Sequence, residues 1–451
     1  MRPLSPVGGE SLGWLPSAAT AMLAKVILDF GSARMRATTV AIDDPGPLER
    51  FLPDSGPSTA FIRKGEGFVG LGEAARFETD TLEAADVWWD EISEQIDHDS
   101  EMPGEFGTGP IAVGSFTFDP DRSEERSVLT VPQTVIGRRG DVFWMTKLGS
   151  DHNSMDLPSR GAAALAPVNP VAVGGAMGED VWTRIVGEVV SLIRNDEVSK
   201  VVLARDLRIR ADEPLDLRWI LDRLIRDYPM TWTYLVDGMA GATPELLLRR
   251  QGGLVTSRVL AGTVWREAEG ADPLQLAAEL ARSQKDISEH EFAVASVADA
   301  LAPYCQAMNV PDAPSVLKLP NVMHLATDIT GVVGPESGAL TLAAALHPSA
   351  AVCGTPTHLA LDIISELESL DRGRYAGPVG WTDMDGDGEW AIALRGGQVR
   401  PHHPQEIQLF AGAGVVADSD PEVELAETGA KLVPMLQALG LDPATATPAP
   451  R

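Results

Sequence analysis

The stretch Ala411 to Lys431, AGAGVVADSDPEVELAETGAK, leaves a chain little freedom in how it folds. Its opening, AGAGVVA, is made of small and β-branched residues, which suits a strand so closely packed that little but Gly and Ala fits beside the backbone. Ser419 and Asp420 then supply capping oxygens, and Pro421 suits the first turn of a helix. The pattern is strand, tight turn, helix. Glu424 and Glu427 follow at i and i+3 on one helix face, with Lys431 one turn further on. Acids on a helix ordinarily meet water. A distant second pair at the same spacing, Asp286 and Glu289, opens another possibility: two acidic helix faces turned toward one point. Carboxylates gathered there would repel by about 3 kcal/mol per close pair at an effective dielectric of ~20. A divalent cation removes that penalty, and a ligand set made only of oxygens suits Mg²⁺.

The formal net charge of −29 over 451 residues argues against nucleic acid or an anionic membrane surface as a partner. An anionic substrate would have to be met by local cations. Two cysteines, Cys305 and Cys353, are too few for a disulfide framework and fit a reducing cytoplasm. No apolar run of about 18 residues is present, so no membrane span is expected. The expected organisation is a loose N-terminal tail (1–22), an N-terminal scaffold half (23–178), a catalytic half (179–440) and a C-terminal tail (441–451).

The first half reads as scaffold. Residues 24–40 suggest strands, and 81–98 form an acidic amphipathic helix whose Trp88 and Trp89 belong to the core. IAVGSFTFDP alternates as a strand does, and VPQTVIGRRGDVFWMTKLG reads as a hairpin turning at Arg138, Arg139 and Gly140. VGLGEAAR at 69–76 is a fragment of a glycine-rich fingerprint without its third glycine, and carries no weight. Residues 151–178 read as an irregular connector.

Chemistry accumulates in the second half. Residues 179–195 show helical spacing at Val181, Ile185 and Val189. VSKVVLARDLRIRA reads as a strand with Lys200 at its start. Such a lysine either faces water at a strand edge or is buried, where desolvation disfavours its ammonium form. Glu245 lies between a turn and a strand, where a lone glutamate is usually exposed. RVLAGTVWR (258–266) reads as a strand ending in a turn at Ala261, Gly262 and Thr263. Residues 282–304 form a long helix with an inward stripe through Phe292, Val294 and Val297, and His290 reads as a packing residue. VMHLATDITGVVG is an alternating strand carrying His324 and Thr327. The turn at Gly354 and the helix after it would offer backbone N–H groups to an anion. Asp383, Asp385, Asp387 and Glu389 imitate a calcium loop, but Leu394 stands where a bidentate glutamate is needed, so a tight hairpin at Gly386 and Gly388 is expected.

KVVLAR, PELLLRR, LAGT, KDISEHEF, HLATDITG, LHPSAAVCGTP, RGRYAGPVGW, WAIALR and AGAGVVADSDPEVELAETGAK occur in one order along the chain. From Val181 to Lys431, with an echo at GSFTFDP, the sequence resembles the chorismate-utilising enzymes. These include isochorismate, salicylate, anthranilate and aminodeoxychorismate synthases. The resemblance implies a single α+β domain like anthranilate synthase component I, with large antiparallel sheets flanked by helices around one central cleft. It also implies Mg²⁺, chorismate as substrate, and a monomer. By the same resemblance Glu289 and Glu427 are direct metal ligands, and Asp286 and Glu424 act through water. Tyr375 and Arg395 grip the enolpyruvyl carboxylate, for which a planar guanidinium is suited. Lys431, Gly262, Thr263, Thr355 and Gly412 line the cleft, and His324 lies near the ring as a catalytic residue.

Three positions separate the subfamilies. Relatives that add ammonia carry Gln where this chain has Lys200; water needs a base, so Lys200 points to water addition. Ala261 stands where aminodeoxychorismate synthases often place a nucleophilic lysine. Ala351 stands where salicylate and anthranilate synthases have Thr, which points to a reaction ending at isochorismate. The implied enzyme is an isochorismate synthase with Lys200 as base and Glu245 as acid, serving menaquinone or siderophore biosynthesis. Its competitors are a salicylate synthase, which also eliminates pyruvate, and an inactive binding or regulatory relative. An ammonia-dependent amine synthase is more distant because of Lys200.

Overall fold

Runs of Val, Ile and Leu at strand spacing commit much of the chain to two large sheets. A computed structural model describes residues 34–149, 155–265, 273–318 and 322–444. The side chains of residues 261–265, 273–274, 284–286, 288–289, 318 and 322 also lie outside the described set. So do the expected tail at 1–22 and all but four residues of the one at 441–451.

Among the described residues, thirteen strands form the first sheet and ten the second. Neighbouring strands are antiparallel, except that Ile96–Ser100 runs parallel to Met35–Ala41. Both halves of the chain share both sheets. In the first sheet Trp232–Val236 pairs with Ser58–Arg63, with Tyr234 opposite Phe61. In the second, Pro378–Asp383 pairs with Ile111–Ser115, with Gly380 opposite Gly114. Trp144, Trp182, Trp381 and Trp390 are fully buried. Burying one large apolar side chain contributes about 1.5–3 kcal/mol. No helix among the described residues is long and apolar enough to cross a membrane.

The strand–turn–helix unit forms as its residues dictate. Strand Glu406–Val415 leads to helix Pro421–Ala438, and the Asp420 side chain accepts the N–H groups of Glu422 and Val423. A Cβ at Gly412 would stand 3.0 Å from the Leu203 carbonyl oxygen and 3.2 Å from the Tyr375 hydroxyl, so glycine is the residue that fits.

Local expectations are corrected in four places. The connector 151–178 is not wholly irregular, because Val171–Gly174 forms a strand paired with Lys200–Arg210. The acidic helix is shorter than 81–98: it covers Leu82–Ser93, capped by Thr81, and the chain then enters the strand Ile96–Ser100. Trp88 and Trp89 are buried as expected. The strand around Ala261 does not end in a turn. It runs from Leu254 to Trp265 and absorbs Gly262 as a β-bulge between Ala261 and Thr263. Phe292 does not pack inward but is 62% exposed, while Val297 is buried. In the calcium-like hairpin, the Asp383 carboxylate accepts the N–H groups of Asp385 and Asp387, and the Arg250 guanidinium pairs with Asp387. A protein cation thus sits among these acids.

Candidate active site

Lys200 opens the strand Lys200–Arg210 and is not at a sheet edge there. On one side it faces Thr355 of the short strand Gly354–Thr355, and Ser199 donates to the Thr355 carbonyl at 2.9 Å. On the other side the strand pairs with the glycine-rich strand, placing Ala204 opposite Gly412. Lys200 is 8% exposed, so of the two alternatives the buried one holds. Glu245 is also 8% exposed, against the usual behaviour of a lone glutamate. It links Met239–Thr243 of the first sheet to Leu246–Gln251 of the second, and its carbonyl accepts from Ile392 N–H at 3.1 Å. Burial pushes its carboxyl up to about 7, against the opposing pull of Lys200, Lys431 and Arg395. Three cations from distant parts of the chain therefore surround this one acid.

Arg395 lies just past strand Gly388–Ile392 with φ +48°, a left-handed corner of the backbone. Burial lowers its guanidinium from the ordinary value, and Tyr375, Glu427, Tyr228 and Glu245 oppose that shift. Tyr375 and Arg395 are thus brought together. The Tyr375 ring stacks on Phe410 at 5.0 Å, and burial pushes its phenol up to about 12, so it stays a hydrogen-bond donor. Lys431 Nζ donates to the Gly412 carbonyl at 2.8 Å and pairs with Glu427 Oε1 at 2.6 Å.

Glu424 is 6% exposed, and the Ser419 hydroxyl donates to its Oε1 at 2.7 Å. Ser419 therefore serves Glu424, while Asp420 alone caps the helix. The helix Gln284–Leu301 that carries Asp286 and Glu289 packs on the strand Leu254–Trp265. Its His290 ring meets Thr327 Oγ1 at 2.7 Å, which pins helix to sheet and agrees with a packing role. The side chains of Asp286 and Glu289 lie outside the described residues, as do those of Gly262 and Thr263. His324 is buried and stands opposite Thr263 in register. The donors at the described end fit Mg²⁺: Glu424 and Glu427 share one helix face and offer only hard carboxylate oxygens, one of them already oriented by Ser419.

A buried ion pair escaped sequence reasoning. Arg372 Nε donates to Glu368 Oε2 at 2.9 Å, and the side chains are 4% and 2% exposed. Arg372 also donates to the carbonyls of Val202 at 2.7 Å and Val352 at 3.1 Å, and Ala204 N–H donates to Glu368 at 2.7 Å. The pair ties the Lys200 strand, the Ala351 loop and the Tyr375 segment into one unit. Its only sequence signal, opposite charges four residues apart, usually marks a solvated helix face.

The model of the chorismate binding enzyme family matches residues 57–440. Isochorismate synthase DhbC of Bacillus subtilis is 36% identical over 345 residues, covering 74% of this chain and 81% of the relative. Isochorismate synthase MenF of the same organism is 31% identical over 405 residues, covering 82% and 85%. The crystal structure of DhbC from Bacillus anthracis superposes with a TM-score of 0.72 at 31% identity, covering 88% of this chain and 99% of that one. The family match runs through both sheets, and this chain belongs to the chorismate-binding enzyme family.

Proposed function

We propose that the protein is an isochorismate synthase that adds water at C2 of chorismate and expels the C4 hydroxyl. One observation carries the mechanism: a buried carboxyl pushed up to about 7, with Lys200 the largest of the charges acting on it. Lys200 takes a proton from the water that attacks C2. The ring double bonds shift. Glu245, protonated, gives its proton to the departing C4 hydroxyl, which leaves as water. Each turnover thus moves one proton from Glu245 to Lys200, and exchange with solvent restores both. An acid and a base flanking one ring suit this exchange, and each contributes roughly 10²–10⁴ in rate.

Tyr375 and Arg395 hold the enolpyruvyl carboxylate, a role supported by the phenol that stays protonated and the recessed guanidinium beside it. Gly412, Gly262, Thr263, Thr355 and Lys431 line the cleft, and His324 stands at the ring. Glu289 and Glu427, with Asp286 and Glu424 acting through water, would hold Mg²⁺, which supplies a positive anchor for the ring carboxylate. Local cations of this kind are what a dianionic substrate needs in a chain of net charge −29. Both cysteines are free, in keeping with a cytoplasmic enzyme, and we read it as a monomer.

The test is a product assay with chorismate and Mg²⁺, run with and without ammonium. Isochorismate formed without pyruvate, and unaffected by ammonium, supports this reading. Pyruvate released in step with chorismate loss favours a salicylate synthase, against the indication of Ala351. No turnover at all favours an inactive binding relative.

A further inference from the structure

Beside Glu245 lies a cavity of about 10 Å³, room for a single water molecule. Its wall is largely apolar, and four polar residues line it: Glu245, Ser257, Arg258 and Ser349. Two of these are committed elsewhere. Ser257 donates to the Leu247 carbonyl at 2.6 Å, and Arg258 forks onto Asp328 at 2.7 Å. Ser349 is different. It is 8% exposed, and its buried hydroxyl has no hydrogen-bond partner among the described residues. Its backbone carbonyl accepts from Val352 at 3.1 Å and Cys353 at 3.0 Å, which fixes the residue in its turn. Leaving a buried hydroxyl unsatisfied is costly. A water bridging it to the carboxyl across so small a space recovers most of that, because bridging waters are nearly as good as direct bonds.

We infer that Ser349 is a positioning residue for Glu245, acting through one water held in this cavity. This rests on the proposal that Glu245 is the acid. The bridge fixes the carboxyl toward the departing hydroxyl. By donating to the charged form it also offsets part of the upward push of burial. The substrate carboxylates are met elsewhere, so the bridge acts on turnover and not on binding.

Ser349→Ala, Ser349→Cys, Ser349→Thr and Glu245→Gln are compared in steady-state assays from about pH 6 to 9. Ser349→Ala is expected to lower kcat about tenfold with KM within about twofold, a loss at the low end of acid–base effects. Its alkaline limb should move to higher pH. Ser349→Cys keeps the volume but weakens the donor, so it should move the limb the same way; this separates lost hydrogen bonding from altered packing. Ser349→Thr keeps the hydroxyl and should keep the wild-type limb. Wild-type kcat and limb in the Ala variant overturn the inference. So does a fall in kcat with an unmoved limb, or a Thr variant as impaired as Ala. Full turnover in Glu245→Gln would instead remove Glu245 as the acid. A dead Glu245→Gln beside a wild-type Ser349→Ala sinks the inference alone.

Discussion

Two lysine–glutamate pairs among the candidate site residues differ in how much water reaches them. Lys431 and Glu427 sit one turn apart on a single helix, 2.6 Å from each other, with side chains 20% and 22% exposed. Lys200 and Glu245 come from separate elements that meet only because the sheets do, and each is 8% exposed. In the first pair, solvent screens both charges, and such ion pairs are worth about 0–1 kcal/mol. On the proposed reading its use is to present charge to a ligand. In the second, burial dominates: it pushes Glu245 from 4.5 to about 7 even though three cations pull the other way. That net shift corresponds to about 3 kcal/mol favouring the neutral acid. On the proposed reading, the same two side-chain types serve binding where water enters and proton transfer where it does not.

The contrast is most easily broken at Lys200. Lys200→Ala should cut kcat by roughly 10²–10⁴, while equilibrium dialysis shows chorismate still bound. Retained turnover above about a tenth of wild type, outside that range, would remove Lys200 as the base.

Glu245→Gln comes next, with a similar fall in kcat and a distinctive pH signature. The acid works protonated, so wild-type kcat/KM should decline as pH rises through about 7, and the variant should lack that limb. Stability follows the same sign. The folded state holds a proton up to about pH 7 that the unfolded chain releases near its ordinary value of 4.5, so Glu245 costs stability as pH rises through this window. Thermal melts should find Glu245→Gln more stable than wild type above the window and level with it below. Equal melting at both ends would contradict the burial account.

The smallest expected effect is at the wetter pair. Glu427→Gln should weaken Mg²⁺ dependence and chorismate binding together, leaving the alkaline limb of the pH profile in place. Activity that persists in excess chelator would end the metal assignment.

The motifs name the candidate site's residues, and the helix Glu179–Arg194 and the strand bearing His324 follow directly from periodicity. What was not legible is burial, which depends on partners far away in sequence. Lys200 is covered because residues 406–415 pair beside it, and no local pattern announces that. Arg372 and Glu368 look like a surface pair until the carbonyls of Val202 and Val352 are placed around them. Gly262 reads as a turn because glycine serves turns and bulges alike, and only the register with His324 decides between them. Phe292 shows the opposite failure: helical spacing placed it on the inner stripe, yet it faces outward.

The most direct test of the central claim is the source of the C2 oxygen. Chorismate and Mg²⁺ are incubated with the enzyme in ¹⁸O-enriched water, and products are separated at early times. Isochorismate carrying one solvent oxygen at C2, with no pyruvate, is the result predicted by water attack under Lys200. An unlabelled C2 hydroxyl, or pyruvate appearing as chorismate is consumed, would contradict it.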